Sequence, residues 1–173
     1  MNKNEQRKIL ILTTGGTIEK TYDETDGTLF NRETIIKNKI NEKIRLPYTL
    51  IEVKSLMAKD SLDMDDQDRG IILQAIERFA AYGNPIVVLH GTDTMQLTAE
   101  LVQKKVLDLK VPVVFTGAMK PLGFEDSDAI QNVSEAMYAC FIAPAGVYIS
   151  FHNRLFPVPG VRKNKEKRTF EVF

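Results

Sequence analysis

The chain has 173 residues, of which 43% are hydrophobic and 27% charged, so its length and composition are those of one ordinary domain and exclude disordered, collagen-like and coiled-coil proteins. Lysine plus arginine and aspartate plus glutamate number 23 each, and this neutral balance excludes the basic surface of a nonspecific nucleic-acid binder or of a protein held at an anionic membrane. The single cysteine, Cys140, excludes an intramolecular disulfide and a multi-cysteine metal site. The first eight residues are polar, and no apolar run approaches the length of about 18 residues that spans a bilayer, which predicts a cytoplasmic protein.

Five apolar segments predict β-strands. Four of them are continuous runs rich in branched residues, at 9–12, 86–89, 111–115 and 147–151, and such runs are typical of parallel strands that are covered on both faces. The fifth, at 50–56, alternates apolar and polar residues, which predicts a half-exposed strand near an edge of the sheet.

Helical patterns separate these strands. The predicted helices lie at about 32–44, from the acidic residues 63–66 to Gly83, from Thr94 onward, and from Ser127 or Asp128 to Cys140. Strands that alternate with helices predict an α/β fold with a doubly wound, mainly parallel sheet flanked by helices. We expect one domain over residues 1–173, with 154–173 as an irregular basic tail that is interrupted by prolines and a glycine.

Ligands of an open parallel sheet bind beyond the carboxyl ends of its strands, so the residues after each predicted strand are candidates for a site. Three strands run into segments that combine glycine with threonine, at 13–17, 90–94 and 116–119. Glycine lets backbone N–H groups approach a ligand closely, and a threonine hydroxyl attacks a carbonyl carbon once its proton is removed. Together with Asp93, these segments predict acyl transfer, with a hydroxyl nucleophile and backbone donors for the oxyanion.

Two other interpretations stay open on these residues alone. A Gly-Gly-Thr turn after a strand is often only a tight connection to a helix, and helix N-termini also bind phosphate. The chain contains neither a Walker A motif nor G-x-G-x-x-G, so phosphate binding ranks second. His90 is expected to be a structural histidine bonded to backbone rather than a base.

Five segments taken together resemble a known family. Thr14-Gly15-Gly16-Thr17-Ile18 and His90-Gly91-Thr92-Asp93-Thr94-Met95 are similar to the two signature segments of the bacterial L-asparaginase family, and 59–64, 113–121 and 128–132 support the match. The resemblance runs from Ile9 to about Lys163. It implies the fold of that family's N-terminal domain and hydrolysis of L-asparagine to L-aspartate and ammonia, without a metal or cofactor.

The resemblance also implies roles for individual residues. Thr17 would be the nucleophile, and Tyr22 the lid tyrosine of a mobile segment at 19–30. Thr92 and Asp93 would act with a lysine that we assign to Lys163, although Lys165 lies two positions away; a lysine desolvated beside an aspartate can accept a proton from a threonine or from water. The substrate-binding residues would be Gly16, Asp60, Ser61, Gly91, Thr92, Asp93 and Ala118, the last through its backbone carbonyl.

The chain also departs from the commoner members of the family. Glu19 stands where a small residue is usual, and Leu62 replaces a polar residue that contacts substrate. The length is similar to that of a short, single-domain branch without the family's second domain. We expect a homodimer or higher homo-oligomer that pairs helix faces carrying Leu97, Leu101 and Met137, with a small-molecule substrate and no nucleic-acid or membrane partner.

Two further functions stay open beside an asparaginase. One is a glutaminase-like subunit of an amidotransferase, which would pass ammonia to a partner. The other is a catalytically inactive module that binds asparagine or aspartate. The neutral charge argues against the amidotransferase subunit, which would contact tRNA. The threonine, aspartate and lysine candidates argue against the inactive module, so the asparaginase interpretation is preferred.

Overall fold

The computed structural model describes residues 6–25, 27–31 and 36–173. Its strands are Arg7–Gly15 (β1), Lys20–Asp23 (β2), Thr28–Asn31 (β3), Thr49–Lys59 (β4), Ile86–Leu89 (β5), Pro112–Thr116 (β6), Gly146–Phe151 (β7), Arg154–Pro157 (β8), Val161–Asn164 (β9) and Thr169–Val172 (β10). Its α-helices are Ile36–Lys43 (α1), Asp66–Ala80 (α2), Met95–Lys105 (α3) and Ala129–Ile142 (α4). Short 3₁₀ turns lie at Thr17–Glu19 and Ser61–Asp63.

A six-stranded sheet forms the centre, in the order β4-β1-β5-β6-β7-β8. The pairs from β4 through β7 are parallel, and β8 joins β7 in antiparallel orientation. This confirms the predicted doubly wound, mainly parallel sheet. Because β4 lies on one side of β1 and β5 on the other, the switch point at which such sheets bind ligands is between the carboxyl ends of β1 and β5.

The core lies on both faces of the sheet. Ile9 and Ile11 of β1 pack in the cluster on the side of α1 and α4, and Leu10 and Leu12 pack in the cluster on the side of α2 and α3. All four side chains are 4% exposed or less, which explains why this strand reads as a continuous apolar run. β4 is at the edge of the sheet and is only partly buried, as its alternating sequence predicted.

The sequence predicted the helices well. α2 begins with a capping box in which the Asp65 carboxylate accepts the Asp68 N–H and the Asp68 carboxylate accepts the Asp65 N–H. α4 begins after Ser127, whose hydroxyl oxygen accepts the Ala129 N–H at 3.1 Å. α1 begins at Ile36, and the predicted positions 32–35 lie outside the described residues.

None of the helices in the described ranges combines the length and the apolar character that crossing a bilayer requires.

The predicted pairing face for self-association is partly wrong. Met137 is 3% exposed and belongs to the core, so it cannot take part in an intermolecular contact. The buried residues of α3 are Met95, Thr98, Ala99 and Val102, while Leu97 is 50% exposed. The apolar pattern of α4 did not show which partner its apolar face contacts. Met137 lies on the same face as Val133 and Cys140, and this face packs on the sheet of the same chain. Formation of a homo-oligomer stays a prediction.

The prediction of an irregular tail at 154–173 is wrong. Residues 154–157 extend the central sheet as β8, and β9 and β10 pair as an antiparallel hairpin. Phe156, Val161 and Phe170 are each 3% exposed or less and pack in the cluster on the side of α2 and α3. Pro157 ends β8, and Pro159 and Gly160 separate it from β9, but a few apolar residues with long-range core contacts are enough to order the segment.

Candidate active site

The switch-point crevice is built by close contact between two backbone segments. β1 runs into Gly15 and Gly16, which have φ angles of +93° and +81°, a left-handed region that glycine occupies without strain. A Cβ atom at Gly16 would lie 2.5 Å from the Gly91 Cα, and one at Gly15 would lie 2.4 Å from the Lys59 backbone. The Gly16 N–H donates a hydrogen bond to the Lys59 carbonyl at 2.9 Å. Gly16 therefore shapes the crevice through its backbone conformation, and its N–H is not free to bind a ligand.

Thr17 stands at the start of the 3₁₀ turn that follows these glycines, and it is partly exposed. Glu19, at the end of the same turn, is 7% exposed, and its Oε2 accepts the Gly15 N–H at 2.7 Å. The Glu19 N–H in turn donates to the Gly16 carbonyl at 3.1 Å. Glu19 therefore closes the turn that presents Thr17, a function that sequence reasoning missed because it treated Glu19 only as a departure from the family.

His90, at the end of β5, is a structural residue, as expected from the sequence. It is fully buried, with Nδ1 at 2.8 Å from the Gly91 carbonyl and Nε2 at 2.9 Å from the Thr98 Oγ1. A carbonyl only accepts hydrogen bonds, so Nδ1 carries the proton and Nε2 accepts from Thr98. Burial lowers the pKa of His90 to about 4, and the ring is neutral at physiological pH.

This burial predicts that the protein loses stability in mild acid. The unfolded chain binds a proton at His90 near an ordinary pKa of about 6.5, whereas the folded chain binds it only near about 4, so lowering the pH through this window favours unfolding. The free energy of unfolding should fall by roughly 2 to 3 kcal/mol between about pH 7 and pH 4.5. Urea denaturation at both pH values measures it, and His90→Asn should make the dependence shallower; an unchanged pH slope in this variant would contradict the assignment.

Thr92, Asp93 and Lys163 form one hydrogen-bonded group. Lys163 Nζ lies 2.7 Å from Thr92 Oγ1 and 3.0 Å from Asp93 Oδ1. Thr92 is 3% exposed and the Lys163 side chain 15% exposed, so most of the group is shielded from water. Lys163 comes from β9 in the hairpin with β10, and this hairpin brings it to the ends of the parallel strands. Lys165 lies exposed in the turn of the same hairpin, so the geometry favours Lys163 over Lys165.

The segment with Asp60 and Ser61 lines the same crevice. Ser61 is 1% exposed, and its Oγ has no hydrogen-bond partner among the described residues. A Cβ at Gly91 would lie 2.6 Å from the Ser61 Oγ, so only glycine at 91 lets these segments meet. Thr94 Oγ1 donates to the Ser61 carbonyl at 2.8 Å, which fixes the segment to the end of β5.

Asp60 is joined to the start of the β2–β3 hairpin. The Lys20 ammonium donates to Asp60 Oδ2 at 2.7 Å, and the Leu62 N–H donates to Asp60 Oδ1 at 3.1 Å. The Lys20 bond holds the pKa of Asp60 below its usual value. Both oxygens of Asp60 therefore have protein partners, whereas the neighbouring Ser61 hydroxyl is buried without a hydrogen-bond partner among the described residues.

The end of β6 supplies the third side of the crevice. Ala118 is buried, and a Cβ at the preceding Gly117 would lie 2.4 Å from the His90 carbonyl, so the backbones after β5 and β6 are also in close contact. The Met119 Sδ lies 4.0 Å from Thr92 Oγ1. All three glycine-threonine segments thus converge at one edge of the sheet.

The fold does not bring Tyr22 to the hydrogen-bonded group of Thr92, Asp93 and Lys163. It is 61% exposed on β2, and its hydroxyl lies beside Gly27 in the turn of the β2–β3 hairpin. A cavity of about 150 Å³ lies between this hairpin and residues 122–124. Two of the larger concavities, of about 410 and 530 Å³, lie along β4 and α2 and touch none of the predicted site residues; their lining residues include none of the glycines and threonines that build the crevice.

The comparisons with known proteins agree with this architecture. The chain matches the family model described as "Asparaginase, N-terminal" over residues 8–172. It is 32% identical over 158 residues to L-asparaginase 1 from Escherichia coli (strain K12), a match that covers 88% of this chain and 46% of that protein. It is 29% identical over 147 residues to a subunit of the glutamyl-tRNA(Gln) amidotransferase of Haloquadratum walsbyi, a match that covers 83% of this chain and 33% of that protein.

Among solved structures, the thermostable L-asparaginase from Thermococcus kodakarensis matches with a TM-score of 0.85 and 26% sequence identity, over 95% of this chain and 51% of that chain. The chain thus spans about a third to a half of the length of these relatives. Since the family model covers nearly all of the described residues and the solved structure has the same fold, this chain belongs to the asparaginase N-terminal family.

Proposed function

We propose that this chain hydrolyses the side-chain amide of L-asparagine to L-aspartate and ammonia through an acyl-enzyme on Thr17. The observation that carries the proposal is the hydrogen-bonded group of Thr92, Asp93 and Lys163 at the same strand ends as Thr17. The partly exposed Thr17 after a Gly-Gly turn, with a buried threonine and a largely buried lysine at the same strand ends, supplies both a nucleophile and a route for protons.

In the first step, the Thr17 oxygen attacks the amide carbon and the C–N bond breaks. The proton that leaves the Thr17 hydroxyl ends on the departing nitrogen, which leaves as ammonia. Backbone donors at the strand ends stabilise the oxyanion, and each is worth roughly 3 kcal/mol in the transition state. Gly16 is excluded as one of these donors because its N–H is bonded to Lys59.

In the second step, water attacks the acyl carbon and the ester bond to Thr17 breaks. Lys163 donates to Thr92 Oγ1, so the Thr92 hydroxyl proton points away from Lys163. Thr92 Oγ1 accepts a proton from the attacking water and gives its own hydroxyl proton to the Thr17 oxygen, which leaves the acyl carbon. Asp93 balances the charge of Lys163 at 3.0 Å. The enzyme is thereby restored, and aspartate is the product.

The remaining predicted residues would hold the substrate. The Ser61 hydroxyl is buried without a partner among the described residues, and a substrate carboxylate or ammonium group would satisfy it. The backbone carbonyl of Ala118 would receive the amide nitrogen. Tyr22 would reach the substrate only after the β2–β3 hairpin moves, because its side chain is 61% exposed in this structure.

A second candidate function is that of a glutaminase-like amidotransferase subunit. Similarity at 29% identity to a glutamyl-tRNA(Gln) amidotransferase component favours it. Such a subunit would release ammonia rapidly only when its partner subunit is bound, whereas an asparaginase would release ammonia rapidly without a partner.

Ammonia release by the purified chain tests the proposal. The chain alone should release ammonia from L-asparagine faster than from L-glutamine, with Lys163→Met as the inactive control and Lys165→Met as the matched active control. Release from L-glutamine that requires an added partner would favour the amidotransferase subunit. Binding of asparagine without any ammonia release would favour an inactive module, and either result would contradict the proposal.

A further inference from the structure

His152, which follows β7, bridges two segments that border the site. Its Nε2 lies 2.9 Å from Asp128 Oδ2, and its Nδ1 lies 3.0 Å from Thr169 Oγ1. A carboxylate only accepts hydrogen bonds, so in the neutral imidazole Nε2 carries the proton and Nδ1 accepts from the Thr169 hydroxyl. The imidazole also packs against Phe151, with ring centroids 4.4 Å apart. The two partners of His152 are 24 and 17 residues away along the chain, so no local sequence pattern indicates this bridge.

At one end of the bridge, Asp128 holds the segment after β6. Its carboxylate accepts the N–H of Met119 at 3.0 Å, the N–H of Lys120 at 3.0 Å and the side-chain amide of Asn132 at 2.9 Å. Burial raises the pKa of Asp128, but the Met119 N–H, His152 and the Lys120 N–H lower it by more, and the result lies below the usual value. An ionised Asp128 thus fixes the backbone immediately after Ala118.

At the other end, Thr169 begins the strand that pairs with the one carrying Lys163. Thr169 is opposite Asn164 in the hairpin, and Phe170 is opposite Lys163. Phe170 is 3% exposed and contacts Phe151 with ring centroids 5.0 Å apart, so this part of the hairpin is anchored by packing as well. The Thr169 hydroxyl adds a directional contact one residue from the cross-strand partner of Lys163.

We propose that His152 is a positioning residue that fixes the β9–β10 hairpin to the segment after β6, and thereby holds Lys163 and Ala118 in place around Thr92. The inference rests on the proposed function of the same site. The bridge joins the element that carries the lysine to the element that carries the expected carbonyl acceptor. Without it, the hairpin keeps its apolar anchor but loses the polar link that runs through the imidazole to Asp128.

The test uses Thr169, where a matched pair of substitutions separates the hydrogen bond from packing. Thr169→Val removes only the hydroxyl and suits a strand, and Thr169→Ser keeps the hydroxyl. Thr169→Val should lower kcat for ammonia release from asparagine by about tenfold with little change in KM, as expected for the loss of one partly buried hydrogen bond. Thr169→Ser should stay within about twofold of the parent.

Two further measurements distinguish positioning from a loss of general stability. In the Lys163→Met background, Thr169→Val should cause no additional loss of kcat, because Thr169 holds the hairpin that carries this lysine, while Asp128 still holds the segment after Ala118 through the Met119 and Lys120 N–H groups. Amide hydrogen exchange of residues 162–171 should be faster by about tenfold in Thr169→Val and in His152→Phe, with exchange in α2 unchanged.

Unchanged exchange in the hairpin, or an equal loss of kcat with and without Lys163, would overturn the positioning role. If the parent chain releases no ammonia from any amide, the proposed function fails, while the exchange measurement still decides whether the bridge holds the hairpin.

Discussion

Thr17→Ala should lower ammonia release from asparagine by about three orders of magnitude or more, because it removes the nucleophile of the proposed reaction. The free energy of unfolding should stay close to that of the parent, since Thr17 is partly exposed and the turn around it is held by Glu19 and the glycine backbones. Steady-state ammonia assays and urea denaturation of the same preparation measure the two quantities.

Thr17→Ser is the matched control for this prediction. It keeps a hydroxyl on the same turn and should retain measurable turnover, whereas the alanine variant should not. Near-parent turnover by Thr17→Ala, in a preparation of intact stability, would show that another residue carries the acyl group.

Thr92 and Lys163 should behave as one catalytic unit. Thr92→Val removes the oxygen to which Lys163 donates at 2.7 Å, and Lys163→Met removes the donor. Each change should lower kcat by about 100-fold to 1,000-fold, and the double variant should be little worse than either single variant, because each alone already breaks the proton route. Substrate binding should suffer less than turnover in Thr92→Val.

A double-mutant cycle in kcat decides this point. Losses that multiply would mean that the two residues act independently. Lys165→Met is the control, because Lys165 is exposed in the hairpin turn and its loss should leave turnover near that of the parent. A damaging Lys165→Met beside a silent Lys163→Met would contradict the assignment of the lysine.

Much of the fold could be predicted from the sequence because its central strands are buried on both faces. A strand such as residues 86–89 has to be apolar throughout, since each side chain enters one of two helix-covered clusters. The location of the crevice followed from the same reasoning: glycines and threonines after three parallel strands must meet at one edge of the sheet.

The rest depends on contacts that no local pattern records. The short strands β8, β9 and β10 are ordered by a few buried side chains such as Phe156 and Phe170. The sequence pattern indicated a loop instead, because Pro157, Pro159 and Gly160 are residues typical of loops. The ion pair of Lys20 with Asp60 and the bridge from Asp128 through His152 join residues that are 40 and 24 positions apart. The place of Lys163 was implied by the family resemblance, and periodicity alone gave no sign of it.

Trapping the acyl-enzyme tests the central claim most directly. Thr92→Val, mixed with L-asparagine and quenched in acid, should accumulate a species that is one aspartyl group heavier than the chain, since the substitution impairs the water step. Peptide mass spectrometry should locate this group on Thr17, and Thr17→Ala should abolish it. An aspartyl group on any other residue, or its persistence in Thr17→Ala, would contradict the proposed mechanism.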